Sequence, residues 1–107
     1  MIDWPRVKEL KDEIGPDDFG EVVELFLEEV EEIIEKLRSD DRSQLEQDLH
    51  FLKGCALNLG FDSFSKLCLS GERQSAEGGA AQVDLPAILD MFEASKQCFL
   101  ADLPKLD

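Results

Sequence analysis

Residues 16–39 read PDDFGEVVELFLEEVEEIIEKLRS, and this stretch decides the fold. Phe19, Val23, Phe26, Val30, Ile33 and Leu37 recur at alternating spacings of four and three, the repeat of a helix that buries one seam in a bundle. Glu21, Glu24, Glu28, Glu31, Glu32 and Glu35 fall on the opposite side, as expected of a solvated helix face. Such a seam needs other helices to cover it, and the flanking sequence supplies them.

Before this stretch, Trp4, Val7, Leu10 and Ile14 lie at helical spacing. Asp3 suits the N-cap, Pro5 the first turn, and Gly15-Pro16 the stop. This short helix is expected to cover one end of the core. After the stretch, residues 40–42 form a turn, and Ser43 with Glu46 fits a capping box that opens a third helix. That helix ends near Leu59, where Gly60 can take the left-handed position beyond the C-cap. A fourth helix opens with Asp62 as its cap and turns Phe64, Leu67, Cys68 and Gly71 inward. Residues 77–83 are glycine-rich and read as a mobile loop. Asp84 and Pro86 start the last helix, with Leu85, Ile88, Leu89, Phe92, Phe99 and Leu103 facing the core. No stretch shows the two-residue alternation of a half-buried strand. The expected fold is all-α, an antiparallel up-and-down four-helix bundle with a short extra N-terminal helix, forming one domain over residues 1–107.

Composition narrows the function. Hydrophobic residues make up 43% of the chain, enough for a real core. The net charge of −14 argues against binding nucleic acid or an anionic membrane surface, since both need clustered Lys and Arg. Residues 16–39 alone hold nine acids and two bases, whereas residues 43–59 hold two acids and one lysine. The acid load therefore sits away from the third helix. No basic-then-apolar leader opens the sequence, and no apolar run approaches the roughly 20 residues that span a bilayer, so a cytoplasmic location is expected. Cys55, Cys68 and Cys98 are odd in number and widely spaced. They suggest reduced thiols rather than a disulfide framework, and with His50 they show no metal-ligand spacing, so neither metal nor cofactor is expected.

The third helix, LEQDLHFLKGCALNL at residues 45–59, breaks two rules of an ordinary core helix. On a helical wheel Leu49, Leu52, Ala56 and Leu59 all lie within about 40° of Leu45, a narrow core stripe. His50, the only histidine in the chain, falls about 140° away and Gly54 about 180° away. Phe51 and Leu57 flank this outer arc, and Lys53 stands at the edge of the stripe. A glycine inside a helix costs about 1 kcal/mol relative to alanine, and on an outer face it gains no packing in return. An exposed imidazole is a nucleophile for phosphorus, and a nearby ammonium can balance the charge of an incoming phosphoryl group. A missing side chain four residues on leaves room for that group and its donor. The rim residues Phe51 and Leu57 suit partner binding. The same residues leave open a helical adaptor that binds partners without phosphorylation.

His50-Phe51-Leu52-Lys53-Gly54 followed by Leu59-Gly60 resembles the H-x-x-K-G-x(4)-L-G signature of histidine-containing phosphotransfer (HPt) domains, and the length and helical plan are similar over essentially the whole chain. The resemblance implies His50 as phosphoacceptor on Nε2, Lys53 as charge-balancing residue and Gly54 as access position. It implies response-regulator receiver domains and a sensor histidine kinase as partners, with Phe51 in the receiver-docking surface. The chain would be a monomeric phosphoryl carrier rather than an enzyme. Two departures stand out. Cys55 and Ala56 replace the small hydroxyl residues that many members carry after the glycine. Glu72 stands where many members carry a glutamine, and resembles the glutamate of the phosphoacceptor domain of chemotaxis kinases. That second likeness implies a hydrogen bond from His50 Nδ1 to Glu72. It also keeps a kinase phosphoacceptor domain as the alternative within this chemistry.

Overall fold

A computed structural model describes residues 1–105. Five α-helices follow one another: α1 (Trp4–Ile14), α2 (Pro16–Arg38), α3 (Leu45–Leu59), α4 (Asp62–Ala76) and α5 (Leu85–Asp102). Short 3₁₀ turns occupy Ala80–Gln82 and Leu103–Lys105. The helices α2 to α5 form the bundle and α1 closes one end. Ion pairs mark the antiparallel order, Lys36 to Asp48 between α2 and α3, and Arg38 to Glu93 and Lys96 to Glu31 between α2 and α5. Among the described residues no helix is long and apolar enough to cross a membrane.

The α3 stripe is fully buried, with Leu45, Leu49, Leu52, Ala56 and Leu59 each no more than 2% exposed. An aromatic group seals the end that α1 covers. Trp4 stacks on Phe99 at 5.9 Å, Phe61 meets Phe99 edge-on at 5.2 Å, and Phe64 packs on Phe92 at 5.4 Å. Phe61, Phe64, Phe92 and Phe99, each no more than 1% exposed, contribute about 1.5–3 kcal/mol apiece by leaving water, and the partly buried Trp4 covers them. The N-terminal segment clamps the same end, since Asp3 N–H donates to the Gly60 carbonyl at 2.7 Å and Ile2 forms an isolated bridge with Phe61. Gly60 sits at φ +77°, and a Cβ there would lie 2.7 Å from the Asp3 carbonyl oxygen. Glycine is thus required twice over, for the left-handed turn that reverses α3 into α4 and for the clamp.

Four local expectations are corrected. On α2 the fully buried set is Phe19, Val23, Leu27, Val30, Ile34 and Leu37, while Phe26 and Ile33 are only partly buried. The helix contacts α1, α3 and α5, so its buried arc is wider than one seam. The capping box at Ser43 does not form. Gln44 holds the cap position of α3, and Ser43 turns its amide and hydroxyl to Asp41 Oδ1 at 3.1 and 2.6 Å. Asp62 is not a cap but the first residue of α4, because Phe61, buried and bridged to Ile2, occupies the cap position. The glycine-rich run 77–83 is a tethered turn rather than a loose loop. The Arg42 guanidinium donates to the carbonyls of Ala80 at 2.6 Å and Val83 at 3.0 Å, and Val83 is buried. Asp3 and Asp84 do cap their helices, accepting from the amides of Arg6 and Ala87.

Candidate functional site

The α3–α4 pair is the most extensive helix contact in the bundle, and the candidate site lies on its outer side. The core stripe of α3 fixes the helix in rotation, which turns His50 to solvent with its side chain 69% exposed. Lys53 and Gly54 follow at the third and fourth positions, the spacings that share a helix face. Gly54 is exposed, and a Cβ built there would meet nothing within 4 Å. No helix crosses there, so packing is not the reason for this glycine.

Glu72 reaches across from α4. Its Oε2 lies 3.0 Å from His50 Nδ1 and its Oε1 lies 2.8 Å from Lys53 Nζ. The carboxylate is four-fifths buried, not a solvated surface group. The Lys53 ammonium beside it holds the Glu72 carboxyl below its ordinary value, against an opposing effect of burial, and His50 adds a lesser lowering contribution. An ionised carboxylate only accepts hydrogen bonds, so Nδ1 carries the hydrogen of the pair. The second ring nitrogen, Nε2, has no partner among the described residues. In the neutral imidazole it then holds the free lone pair.

His50, Lys53 and Glu72 are thus brought together in one chain of contacts. Gly54 stands beside them on the same face. Phe51 and Leu57 remain on the outer surface, 40% and 55% exposed. The sequence reading missed one relation: Lys53 is paired with Glu72 rather than standing free near His50. The wheel held the signal, because Lys53 lies at the stripe edge on the same side as His50, where α4 passes. Cys55 and Cys68 are buried, and burial raises both thiols, Cys68 to about 12, so neither offers a thiolate near the site.

A family model described as the Hpt domain matches residues 21–98. Two curated relatives, each called "Phosphorelay protein LuxU", come from Vibrio vulnificus strains YJ016 and CMCP6. Each is 26% identical to this chain over an alignment that covers 94% of it and 93% of the relative. No solved structure gives a significant match.

Proposed function

We propose that this chain, which belongs to the Hpt domain family and is a histidine phosphotransfer protein, carries its phosphoryl group on Nε2 of His50. The observation that carries the assignment is the pairing of an exposed imidazole, through Nδ1, with a carboxylate that can only accept. The acceptor nitrogen is thereby left free and facing solvent. The partners are receiver domains of response regulators and a sensor histidine kinase of a two-component phosphorelay, and the chain acts as a cytoplasmic monomer.

In the transfer step the Nε2 lone pair attacks phosphorus of a receiver's aspartyl phosphate. The P–O bond to the aspartate breaks, and the aspartate leaves as carboxylate. The N–P bond forms while Nδ1 keeps its hydrogen. Positive charge developing on the ring is balanced by Glu72, and the phosphoryl oxygens draw on the ammonium of Lys53. Gly54 leaves open the space the donor must enter, and Phe51 and Leu57 supply apolar docking area at the rim. No further acid or base in this chain is needed, so the receiver or kinase provides the catalytic groups and this chain is a carrier.

The test incubates the protein with a phosphorylated receiver domain and follows acid-labile label on wild type and His50→Gln. Label on wild type alone is expected. Equal label on both would remove His50 from the mechanism, and no label on either from several receivers would favour the adaptor reading.

A further inference from the structure

Directly behind the His50–Glu72 contact lies a second contact between the same two helices. Leu49 precedes His50 on α3 and Gly71 precedes Glu72 on α4. Gly71 is buried, and a Cβ built on it would stand 2.8 Å from Leu49 Cδ1. On its other sides it would stand 3.3 Å from both Ile88 Cδ1 and Val83 Cγ1. Carbon atoms settle at about 3.5–4.0 Å, so the space at this point holds a hydrogen and no methyl. All three neighbours are themselves no more than 3% exposed, which leaves them little freedom to turn aside.

We propose that Gly71 is a positioning residue of the phosphoacceptor site, its bare Cα setting the α3–α4 spacing at which Glu72 reaches both His50 and Lys53. The inference rests on the reading of His50 as phosphoacceptor. Its physical core is the ratio of two lengths. A methyl at position 71 needs roughly 1 Å more room toward Leu49 than the 2.8 Å now present. The His50–Glu72 bond, at 3.0 Å, is lost when stretched by the same amount. Val83, in the turn before α5, and Ile88 on α5 confine the methyl on their side, so whatever room the buried Leu49 side chain does not yield is made by α4 tilting or turning. Either movement carries Glu72, the next residue, away from its partners. The positive φ that often explains a glycine is absent here, since Gly71 lies within regular helix and its φ is not in the left-handed range. Close approach is the remaining reason for it.

The chain's single histidine makes the consequence directly readable, because ¹⁵N NMR reports one imidazole and its tautomer. In Gly71→Ala the Nδ1–H preference of His50 is expected to collapse toward that of Glu72→Ala. Receiver-to-His50 transfer is expected to slow about tenfold, as for loss of one charge-assisted hydrogen bond. The double variant Gly71→Ala with Glu72→Ala is expected to be no slower than Glu72→Ala alone. Trimming the opposing side chain, in Gly71→Ala with Leu49→Val, is expected to restore both tautomer and rate. A folded Gly71→Ala with wild-type tautomer and rate would overturn the proposal, as would a full further loss in the Glu72→Ala background. Should Gly71→Ala alone not fold, the Leu49→Val pair carries the test, and a folded pair that lacks the tautomer preference overturns it. His50→Gln, run alongside, separates the two claims: its labelling at wild-type level removes the site reading itself, whereas its inactivity with an unchanged Gly71→Ala removes only the role of Gly71.

Discussion

Gly54 offers a prediction in which stability and transfer move in opposite directions. Within a helix, glycine costs about 1 kcal/mol relative to alanine, through the freedom it loses on folding. A side chain at position 54 meets no atom within 4 Å, so Gly54→Ala gains that amount without a clash. For a domain of this size the gain corresponds to a rise in Tm of roughly 4–8 °C. The effect on transfer has the other sign. Gly54 lies about 6 Å along the helix from His50 and on the same face. A partner interface of about 800 Å² on this side, centred on His50, extends some 16 Å in every direction and must include it. A leucine there displaces the donor aspartate, and a displacement of about 1 Å costs roughly 100-fold in rate. Thermal melts, transfer from a phosphorylated receiver, and labelling by a small donor such as phosphoramidate measure the three quantities. Gly54→Ala should melt higher than wild type. Gly54→Leu should remain folded, accept phosphoryl from the small donor and fail with the receiver. Receiver transfer to Gly54→Leu at the wild-type rate would refute the access argument, and a lower melt for Gly54→Ala would show that the glycine serves the helix after all.

Three further expectations follow from the same contacts. Lys53 holds the Glu72 carboxyl below its ordinary value of 4.5, so the stabilisation is complete above 4.5 and is lost as pH falls through the lower folded-state value. The stability difference between wild type and Glu72→Gln in urea should therefore hold at neutral pH and shrink as the pH is taken below 4.5, and a difference that stays constant into acid would show that the pair adds nothing. With the Cys68 thiol raised to about 12 and Cys55 buried, a thiol reagent at mildly alkaline pH should label the half-buried Cys98 first. Labelling of Cys55 and Cys68 should wait for unfolding. Asp48 is buried with Lys36 at 2.9 Å, so Lys36→Met strands a carboxylate and should cost about 3 kcal/mol in urea unfolding, well beyond an ordinary surface substitution.

What the sequence makes legible is what depends on period. The stripe on α3 follows from five apolar residues at helical spacing, and once the stripe is placed the outward direction of His50 and Gly54 is fixed by rotation alone. The same logic gives the turn at Gly60 and the caps at Asp3 and Asp84. What it leaves out depends on neighbours. Phe26 and Leu27 are both apolar, and only the positions of the flanking helices decide that Leu27 is the deeper. Ser43 has the right spacing for a capping box, but Asp41 competes for its hydroxyl at shorter range. Arg42 carries no signal that it will cross to the carbonyls of Ala80 and Val83, residues some forty positions away. Buried Asp48 reads as a break in amphipathicity until Lys36 is found opposite it. Glu72 is the intermediate case: a family likeness suggests it, but only the antiparallel register of α3 and α4 brings it to His50.

That register also separates the demands placed on the two helices. α3 has to bury one face and expose the other, so substitutions that tune His50 from within α3 disturb either the core stripe or the open arc beside Gly54. α4 touches the site through one residue, Glu72, with its alignment held by packing at Gly71 one position earlier. The electrostatics around His50 are therefore adjustable from α4 at small cost to the core, provided that the helix spacing is kept. Glu72→Gln preserves the shape of the contact while removing the charge that holds Lys53. It should thus release the ammonium to the phosphoryl oxygens while weakening the hold on Nδ1. Of these two opposing effects, the first stabilises the phosphorylated state and the second makes Nε2 a poorer nucleophile. The forward and reverse transfer rates measured on this one variant tell them apart, because slowed loss of the phosphoryl group marks the first and slowed gain marks the second.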